Sequence, residues 1–396
     1  MILLVVLSRV STFVLLVVCA RRVPLFDAAP RLVLASPWSQ PLLRWDSFHF
    51  LHIARYGYSY ENQWAFFPGV PFLIRTASAL LSVFHAHAHP DLLLSAAFLA
   101  AACDGTYTLY QLSLHHLRNP HLALLAALLS LIPSSPATLH FTPYTEPFFT
   151  FLSYKGMLYC ARRSWARAAV AFALAGAFRS NGVLLGGFIL WGLVLQPFLD
   201  TKRISVLNTI YALFLTALVF LPFAAHNYAA YRAFCTSTPA PVWCTASPLP
   251  LIYTHVQATY WNVGFFRYWT TAQIPNFIIA APPLALLTTW ASWHLSTSTW
   301  PRLRNTTSLL ARAEDAPFLA PALTPHAIHA LVLVASLLFA SHTQIALRQA
   351  ASIPATYWAA AWLVYKYPAC GRLWVGWSLT WGWLSVVLWA AGLPPA

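Results

Sequence analysis

The chain has 396 residues, of which 59% are hydrophobic and only 8% are charged, whereas an ordinary soluble domain carries about 25% charged residues. This composition excludes a soluble globular protein and indicates an all-α polytopic membrane protein with a single integral membrane domain over residues 1–396. The formal net charge of +14 does not indicate a nucleic-acid partner, because the basic residues are scattered between apolar runs and form no long basic tract.

The first apolar run, residues 1–20, predicts a membrane-spanning helix. Its basic pair, Arg21 and Arg22, follows the run instead of preceding it. A retained first span is therefore favoured over a cleaved signal peptide. We expect a long first loop to follow over residues 21–90, including a moderately apolar run at 66–84 that dips into the bilayer without crossing it.

Runs of spanning length, about 20 residues, continue along the chain, and we predict about 8–11 transmembrane helices in all. The runs cover residues 92–114, 121–140, 166–199, 204–226, 276–296, 327–343 and 373–392, with shorter runs at 148–160 and 353–365. The run at 166–199 is long and is interrupted by Arg179-Ser180-Asn181-Gly182. We expect two short helices that meet at this polar break, shielded by protein or by a cavity.

The positive-inside rule orients these helices. Most of the short loops that carry basic residues fall on one side of the membrane, which is predicted to be cytoplasmic. The other side then holds the first loop (21–90), a turn at 141–147, the Arg179 break, a second large loop (227–275) and the segment 344–354. The first loop carries six arginines against the rule, but long loops follow this bias poorly.

The stretch 45–71 in the first loop concentrates polar chemistry that is scarce elsewhere. Asp46 and Glu61 are two of only nine acidic residues in the chain. Ionisable groups near a membrane are costly to desolvate and mark sites that bind or react. We therefore predict a functional site around these residues: Arg44, Asp46, His49, His52, Arg55 and Glu61.

Asp46 has two interpretations on spacing alone. If Ser47–Tyr56 is helical, Asp46 and His49 share a face and can form a general base. An Asp at a helix start also caps free backbone N–H groups without any substrate. Glu61 is either a second base or a solvated loop residue. No metal site is predicted, because His49 and His52 lack zinc-ligand spacing.

Isolated arginines on the same side suggest a phosphate ligand, because the planar guanidinium binds two oxygens at once. The candidates are Arg55, Arg179 and Arg348; Arg267 is a fourth isolated arginine, for which extension to the membrane interface is favoured. The alternative for each is a side chain that extends to the membrane interface. Glu146 can orient one of these arginines. Cys235 and Cys244 share one polar loop, where they either form a disulfide in an oxidising compartment or stay as free thiols.

Five sequence blocks carry a resemblance to a known family. They are WDSFHFLHIARYGY with ENQWAFFPGVP, then PYTEPFFTFLSYKGM, FRSNGVL, VQATYWNVGFFRYWTTAQIPNFIIAAP and ALRQAASIPATYW, in order from Trp45 to Trp358. Together they resemble the PIG-V family of endoplasmic reticulum mannosyltransferases. The resemblance implies a helix bundle of the GT-C glycosyltransferase class with its active site facing the lumen, so that 21–90 and 227–275 are lumenal loops.

The resemblance also implies the reaction. Dolichyl-phosphate-mannose donates the second mannose, in α1,6 linkage and with inversion, to the glycosylphosphatidylinositol (GPI) precursor, without cofactor or metal. Asp46 is the expected base and Arg55, Arg179 or Arg348 the expected phosphate ligand. The substrate-binding residues are expected to be Trp45, His49, Tyr56, Glu61, Glu146, Asn181 and Asn262. A small accessory membrane subunit is a further possible partner.

Three alternatives stay open at this point. One is another GT-C transferase that uses a dolichyl-phosphate sugar, which only the acceptor distinguishes. A second is a lipid transporter or flippase with a midplane site at the Arg179 break, which internal inverted repeats would favour. The third is a scaffold subunit in which Asp46 only caps a helix.

Overall fold

The computed structural model describes residues 1–26, 29, 33, 38–84, 92–236, 239–304 and 313–394. All regular secondary structure within these residues is helical. In chain order the helices are α1 (Ile2–Arg22), α2 (Asp46–Tyr56), α3 (Gly69–Phe84), α4 (Leu92–Ala102), α5 (Thr106–Leu117), α6 (Pro120–Leu129), α7 (Pro136–His140), α8 (Glu146–Ala161), α9 (Trp165–Gly176), α10 (Ser180–Thr201), α11 (Val206–Phe234), α12 (Ile252–Tyr260), α13 (Thr271–Leu303), α14 (Pro321–Phe339), α15 (Ala346–Ala351), α16 (Pro354–Lys366) and α17 (Pro368–Ala391).

Six of the described helices are long and apolar enough to cross a membrane: α1, α10, α11, α13, α14 and α17. The predicted all-α, multispanning fold is therefore confirmed. Several predicted runs form shorter helices instead. The run at 92–114 divides at Asp104, whose carboxylate accepts hydrogen bonds from the Thr106 N–H and hydroxyl and so starts a new helix. The run at 121–140 divides near Pro133 and Pro136, which cannot donate helical hydrogen bonds.

The long run at 166–199 is interrupted as predicted, but only α9 is short, because α10 has 22 residues and is long enough to cross a membrane. Helix α9 ends at Gly176 and α10 begins at Ser180 with a 3₁₀ turn. A Cβ on Gly182 would lie only 2.5 Å from the Gly176 Cα, so the two helix ends pack backbone against backbone. This close approach shields the irregular backbone and leaves Arg179 between the helices.

The first loop is joined to the end of the last helix by Arg44, which is buried. Its Nε donates to the Trp389 carbonyl (3.1 Å) and its Nη2 to the Ala390 carbonyl (3.0 Å), at the C-terminus of α17. Its Nη1 donates to the carbonyls of Gln40 and Leu43 within the loop. A cation at a helix C-terminus also interacts favourably with the helix dipole. Arg44 therefore fixes the chain immediately before Asp46.

Replacing Arg44 tests this role. Arg44→Met keeps the apolar stem but removes the guanidinium donor from four carbonyls, two of which keep a backbone N–H donor. We expect a loss of about 2–3 kcal/mol in stability. Burial lowers the pKa of Arg44 to about 10, because desolvation disfavours the charged guanidinium. Thermal unfolding in lipid nanodiscs measures the effect. The matched control is Arg75→Met, which removes one hydrogen bond, to the Ala54 carbonyl; equal losses for both variants would contradict this role.

The predicted second loop, 227–275, begins as the last turns of α11 and also contains α12. Cys235 and Cys244 form a disulfide in the structure. Trp243, beside Cys244, is buried in a small apolar cluster with Trp64 of the first loop. The two loops are therefore packed together on the same end of the helix bundle.

Candidate active site

A cavity of about 470 Å³ lies where the two loops meet the ends of α8, α9, α10 and α17. Five chain segments supply most of its lining, and they correspond to the five sequence blocks singled out above. The lining includes Trp45, Asp46, Phe50, Phe66, Tyr144, Thr145, Glu146, Phe178, Arg179, Ser180, Tyr253, Gln257, Trp261, Val263, His342, Gln344, Arg348 and Trp389. Residues more than 340 positions apart in sequence, such as Trp45 and Trp389, thus form one chamber.

Asp46 begins α2, and Tyr144 holds it through its backbone. The Asp46 N–H donates to the Tyr144 hydroxyl (3.0 Å), and that hydroxyl donates to the Arg44 carbonyl (3.3 Å). Burial raises the pKa of Tyr144 well above its ordinary value, so the phenol stays a donor. Trp45, between Arg44 and Asp46 in the chain, has a φ of 50°. This conformation is unusual for a bulky residue and persists only where the surrounding structure imposes it. The Asp46 side chain, 37% exposed, stays accessible to the cavity.

Two arginines and a second carboxylate complete the charged part of the cavity. The Arg348 Nη1 lies 3.4 Å from the Asp46 Oδ2 and 3.6 Å from the Glu146 Oε1. The Arg179 Nη1 lies 2.6 Å from the same Glu146 oxygen. Glu146 is only 1% exposed, so its role is to hold and orient both arginines. The sequence predicted that Glu146 orients one of these arginines, and the geometry places it against both.

The ion pairs favour the charged forms of Glu146 and Arg348. Burial alone raises the pKa of Glu146, but Arg179 and Arg348 lower it overall. Burial alone lowers the pKa of Arg348, but Glu146 and Asp46 raise it overall. With all four groups ionised, the two carboxylates balance the two guanidinium groups. Protonation of Asp46 would leave one net positive charge in the cavity.

Arg55 and Tyr56 do not line the cavity, contrary to their predicted roles. Both side chains are exposed. Arg55 is nine residues beyond Asp46 on the same helix, and at about 100° per residue this places it on the opposite face. The phosphate-binding role predicted for Arg55 therefore lacks support from the geometry, whereas Arg179 and Arg348 lie at the cavity.

Four further predicted substrate ligands also lie outside the cavity lining: His49, Glu61, Asn181 and Asn262. His49 stacks on Phe66 at 4.5 Å instead of hydrogen-bonding to Asp46, and burial lowers its pKa more than Asp46 raises it. Asn181 is half-buried at the start of α10, and Asn262 is exposed beside the lining residue Trp261. Neither asparagine lines the cavity, because chain proximity to a lining residue does not determine side-chain direction.

Glu61 connects the two loops instead of facing the cavity. Its carboxylate accepts the Trp243 indole N–H (2.6 Å) and the Tyr260 hydroxyl (2.9 Å), and lies 3.6 Å from the His255 Nε2. All three partners belong to the second loop. Glu61 thus holds in place the loop that supplies Tyr253 and Gln257 to the cavity.

Other lining residues were missed by sequence reasoning. Tyr144 lies two residues before Glu146 in a block already identified, so its position was a usable signal. Trp389 had no such signal: it is buried, and its indole N–H donates to the Pro41 carbonyl (3.0 Å). Its place at the cavity depends on the packing of α17 against the first loop.

In the described residues, no group of three or more His, Cys, Asp or Glu side chains is arranged to hold a metal ion. The charged groups at the cavity are instead arranged as ion pairs. Two guanidinium groups close to one another suit an anionic ligand with several oxygens, such as a phosphate ester.

The family model described as mannosyltransferase (PIG-V) matches residues 2–396. The chain belongs to the PIG-V mannosyltransferase family. This confirms the predicted family and the predicted mannosyltransferase activity, and it disfavours the transporter and scaffold alternatives. The charged cavity described above is therefore the candidate active site of a PIG-V mannosyltransferase.

Curated relatives agree with this membership. GPI mannosyltransferase 2 of Cryptococcus neoformans var. neoformans serotype D (strain B-3501A) is 35% identical over 421 residues, covering 98% of this chain and 96% of the relative. GPI alpha-1,6-mannosyltransferase 2 of Homo sapiens is 33% identical over 372 residues, covering 82% and 73%. Among solved structures, the Archaeoglobus fulgidus oligosaccharyltransferase is similar with a TM-score of 0.49 and 16% identity, covering 97% of this chain and 53% of that one.

Proposed function

We propose that this PIG-V family member transfers the second mannose of the GPI anchor, in α1,6 linkage, from dolichyl-phosphate-mannose to the lipid-linked GPI precursor. The names of the curated relatives support the acceptor and the linkage. The observation that carries the chemistry is the accessible Asp46 carboxylate beside Arg348 and Glu146 at a cavity that also holds Arg179. The GT-C class, the endoplasmic reticulum membrane and a lumenal site belong to the same proposal.

Asp46 acts as the general base. Its carboxylate takes the proton of the acceptor 6-hydroxyl while that oxygen forms a bond to the anomeric carbon of the donor mannose. The bond from the anomeric carbon to the phosphate oxygen breaks, and its electron pair leaves with dolichyl phosphate. Attack opposite to the leaving group inverts the anomeric configuration, which converts a β-linked donor into an α-linked product.

Arg348 and Arg179 stabilise the departing phosphate. A phosphate monoester leaves without needing a proton, so it requires mainly positive charge. Arg348 contacts both Asp46 and Glu146, and protonation of Asp46 weakens one of these two attractions. The guanidinium group is then available to the phosphate at the same stage of the reaction. Glu146 keeps both arginines in place because it is buried and paired with each of them.

The location of the cavity suits two lipid-linked substrates. It lies at one end of the spanning helices, so polyprenyl and acyl chains can stay in the bilayer while the headgroups meet in the polar chamber. Trp45 and Trp261 offer aromatic faces for sugar rings. A requirement for a small accessory membrane subunit stays a prediction.

Complementation tests this assignment. Cells that lack the second GPI mannosyltransferase accumulate a one-mannose GPI precursor, and expression of this chain is expected to convert it to the two-mannose form. Digestion with a linkage-specific α1,6-mannosidase checks the new bond. Cells that lack the first or third GPI mannosyltransferase are the matched controls and should not be rescued. Failure to convert the one-mannose precursor despite normal amounts of protein in the membrane would overturn the assignment.

A further inference from the structure

Three aromatic side chains are exposed in the connection between α12 and α13. We call residues 263–270, with the sequence VGFFRYWT, the aromatic segment. Phe265 is 73% exposed, Phe266 is 48% exposed and Trp269 is 52% exposed. Apolar area of this size costs free energy in water, and clusters of exposed apolar residues mark interaction surfaces.

The aromatic segment is continuous with the lipid-facing surface of two spanning helices. It leads directly into α13, where Ile274 and Ile278 are exposed one helical turn apart. At the end of α14, the Phe339 ring packs against the rings of Phe266 and Trp269, with distances between ring centroids of 5.4 Å and 6.1 Å. The exposed rings therefore lie at the same membrane boundary as these helix ends, where aromatic residues are enriched.

Several N–H groups of the aromatic segment already have hydrogen-bond acceptors within the protein. The Phe266 N–H donates to the Phe339 carbonyl, and the N–H groups of Arg267 and Trp269 donate within the segment to Gly264 and Phe266. The Trp269 indole N–H donates to the Leu338 carbonyl (2.6 Å). Unsatisfied backbone groups are costly in lipid, so these bonds lower the cost of insertion.

The same segment forms part of the wall of the catalytic cavity. Val263 lines the cavity, as do His342 and Gln344, which follow α14. Tyr268 stacks on His342 at 4.8 Å and so joins the segment to that side of the wall. The aromatic segment thus has the cavity on one side and the lipid-facing helix surface on the other.

We propose that the aromatic segment inserts into the lumenal leaflet and forms the edge over which the polyprenyl chain of the donor passes from the bilayer to the cavity. The partner of this surface is the phospholipid leaflet itself. Arg267 is exposed within the segment and meets the phosphates of the headgroups, as cationic side chains at interfaces do. The role in donor entry rests on the proposed function, whereas the insertion does not.

Membrane depth is measured without any catalysis. In a Cys370→Ser background, which removes the exposed free cysteine, Phe265→Cys is labelled with an environment-sensitive fluorophore and reconstituted in phosphatidylcholine vesicles. We expect blue-shifted emission, quenching by spin-labelled lipid and little quenching by aqueous iodide. Ile278→Cys is the lipid-facing control and Ser59→Cys, in the first loop, is the exposed loop control. Iodide quenching at position 265 equal to that at position 59 would overturn the insertion.

Kinetics test the entry role separately. Phe265→Ser is expected to raise KM for the full-length polyprenyl donor about fivefold in vesicles, with kcat unchanged because Phe265 is outside the cavity lining. A short-chain, water-soluble donor analogue should show no change. Leu249→Ser removes a similarly exposed apolar side chain from the same loop and should behave as wild type. An unchanged KM for the full-length donor would overturn the entry role, even if Phe265 proves to be membrane-inserted.

Discussion

Asp46→Asn is expected to lower kcat for mannosyl transfer by roughly 10²- to 10⁴-fold, the range that general bases contribute. The substitution keeps the size of the side chain but removes its ability to take the proton of the acceptor hydroxyl. The structure predicts that folding is retained, because Tyr144 holds Asp46 through the backbone N–H and not through the carboxylate. Turnover of radiolabelled donor by the purified protein in nanodiscs measures the effect.

The matched control for this variant is Asp200→Asn. Asp200 is an exposed carboxylate paired with Arg302 on the surface. Exposed ion pairs contribute little to stability. The same chemical change at Asp200 should therefore leave kcat within about twofold of wild type. If Asp46→Asn retained a comparable rate at normal expression, the Asp46 carboxylate would serve only as the ion-pair partner of Arg348, and another group would have to be the base.

Arg348→Gln is expected to lower kcat by roughly 10²- to 10³-fold, as for the loss of one group that stabilises developing charge. The variant removes a cation that lies 3.4 Å from Asp46 while leaving the 2.6 Å pair of Arg179 and Glu146 intact. Arg348→Lys should fall between wild type and Arg348→Gln, because lysine keeps the charge but cannot contact two oxygens with a planar fork. Single-turnover rates with saturating donor separate this effect from weaker binding.

Arg55→Gln is the informative comparison for Arg348→Gln. Both arginines were candidates for phosphate binding, but Arg55 is exposed and lies on the face of α2 opposite to Asp46. We expect Arg55→Gln to keep nearly the full rate. The reverse ranking, with Arg55 essential and Arg348 dispensable, would contradict the geometry of the active site.

Much of the molecule could be predicted from local patterns. Spanning helices are long apolar runs because a bilayer requires about 20 apolar residues per crossing, and six described helices meet this requirement. The start of α2 at Asp46 and the break before Ser180 could also be recognised. These features depend on neighbouring residues in the chain, so composition and spacing contain the information.

The shorter helices were harder to predict as separate elements. The run at 92–114 is predominantly apolar, yet Asp104 divides it by accepting two hydrogen bonds from Thr106. Hydropathy averages over such a single polar residue and therefore predicts one crossing. The local hydrogen bonds of one side chain decided the outcome.

The sequence by itself determined the membrane-spanning helical fold, the family, and the identity of Asp46 as the first candidate for the base. Only the tertiary structure decided which charges meet that carboxylate. Arg55 is nine residues from Asp46 and faces away, whereas Arg348 is 302 residues away and lies beside it. Glu61, another candidate, serves instead to join the two loops. The physical reason is that ion pairs act over a few ångströms in space, and helix packing alone determines which distant residues come that close.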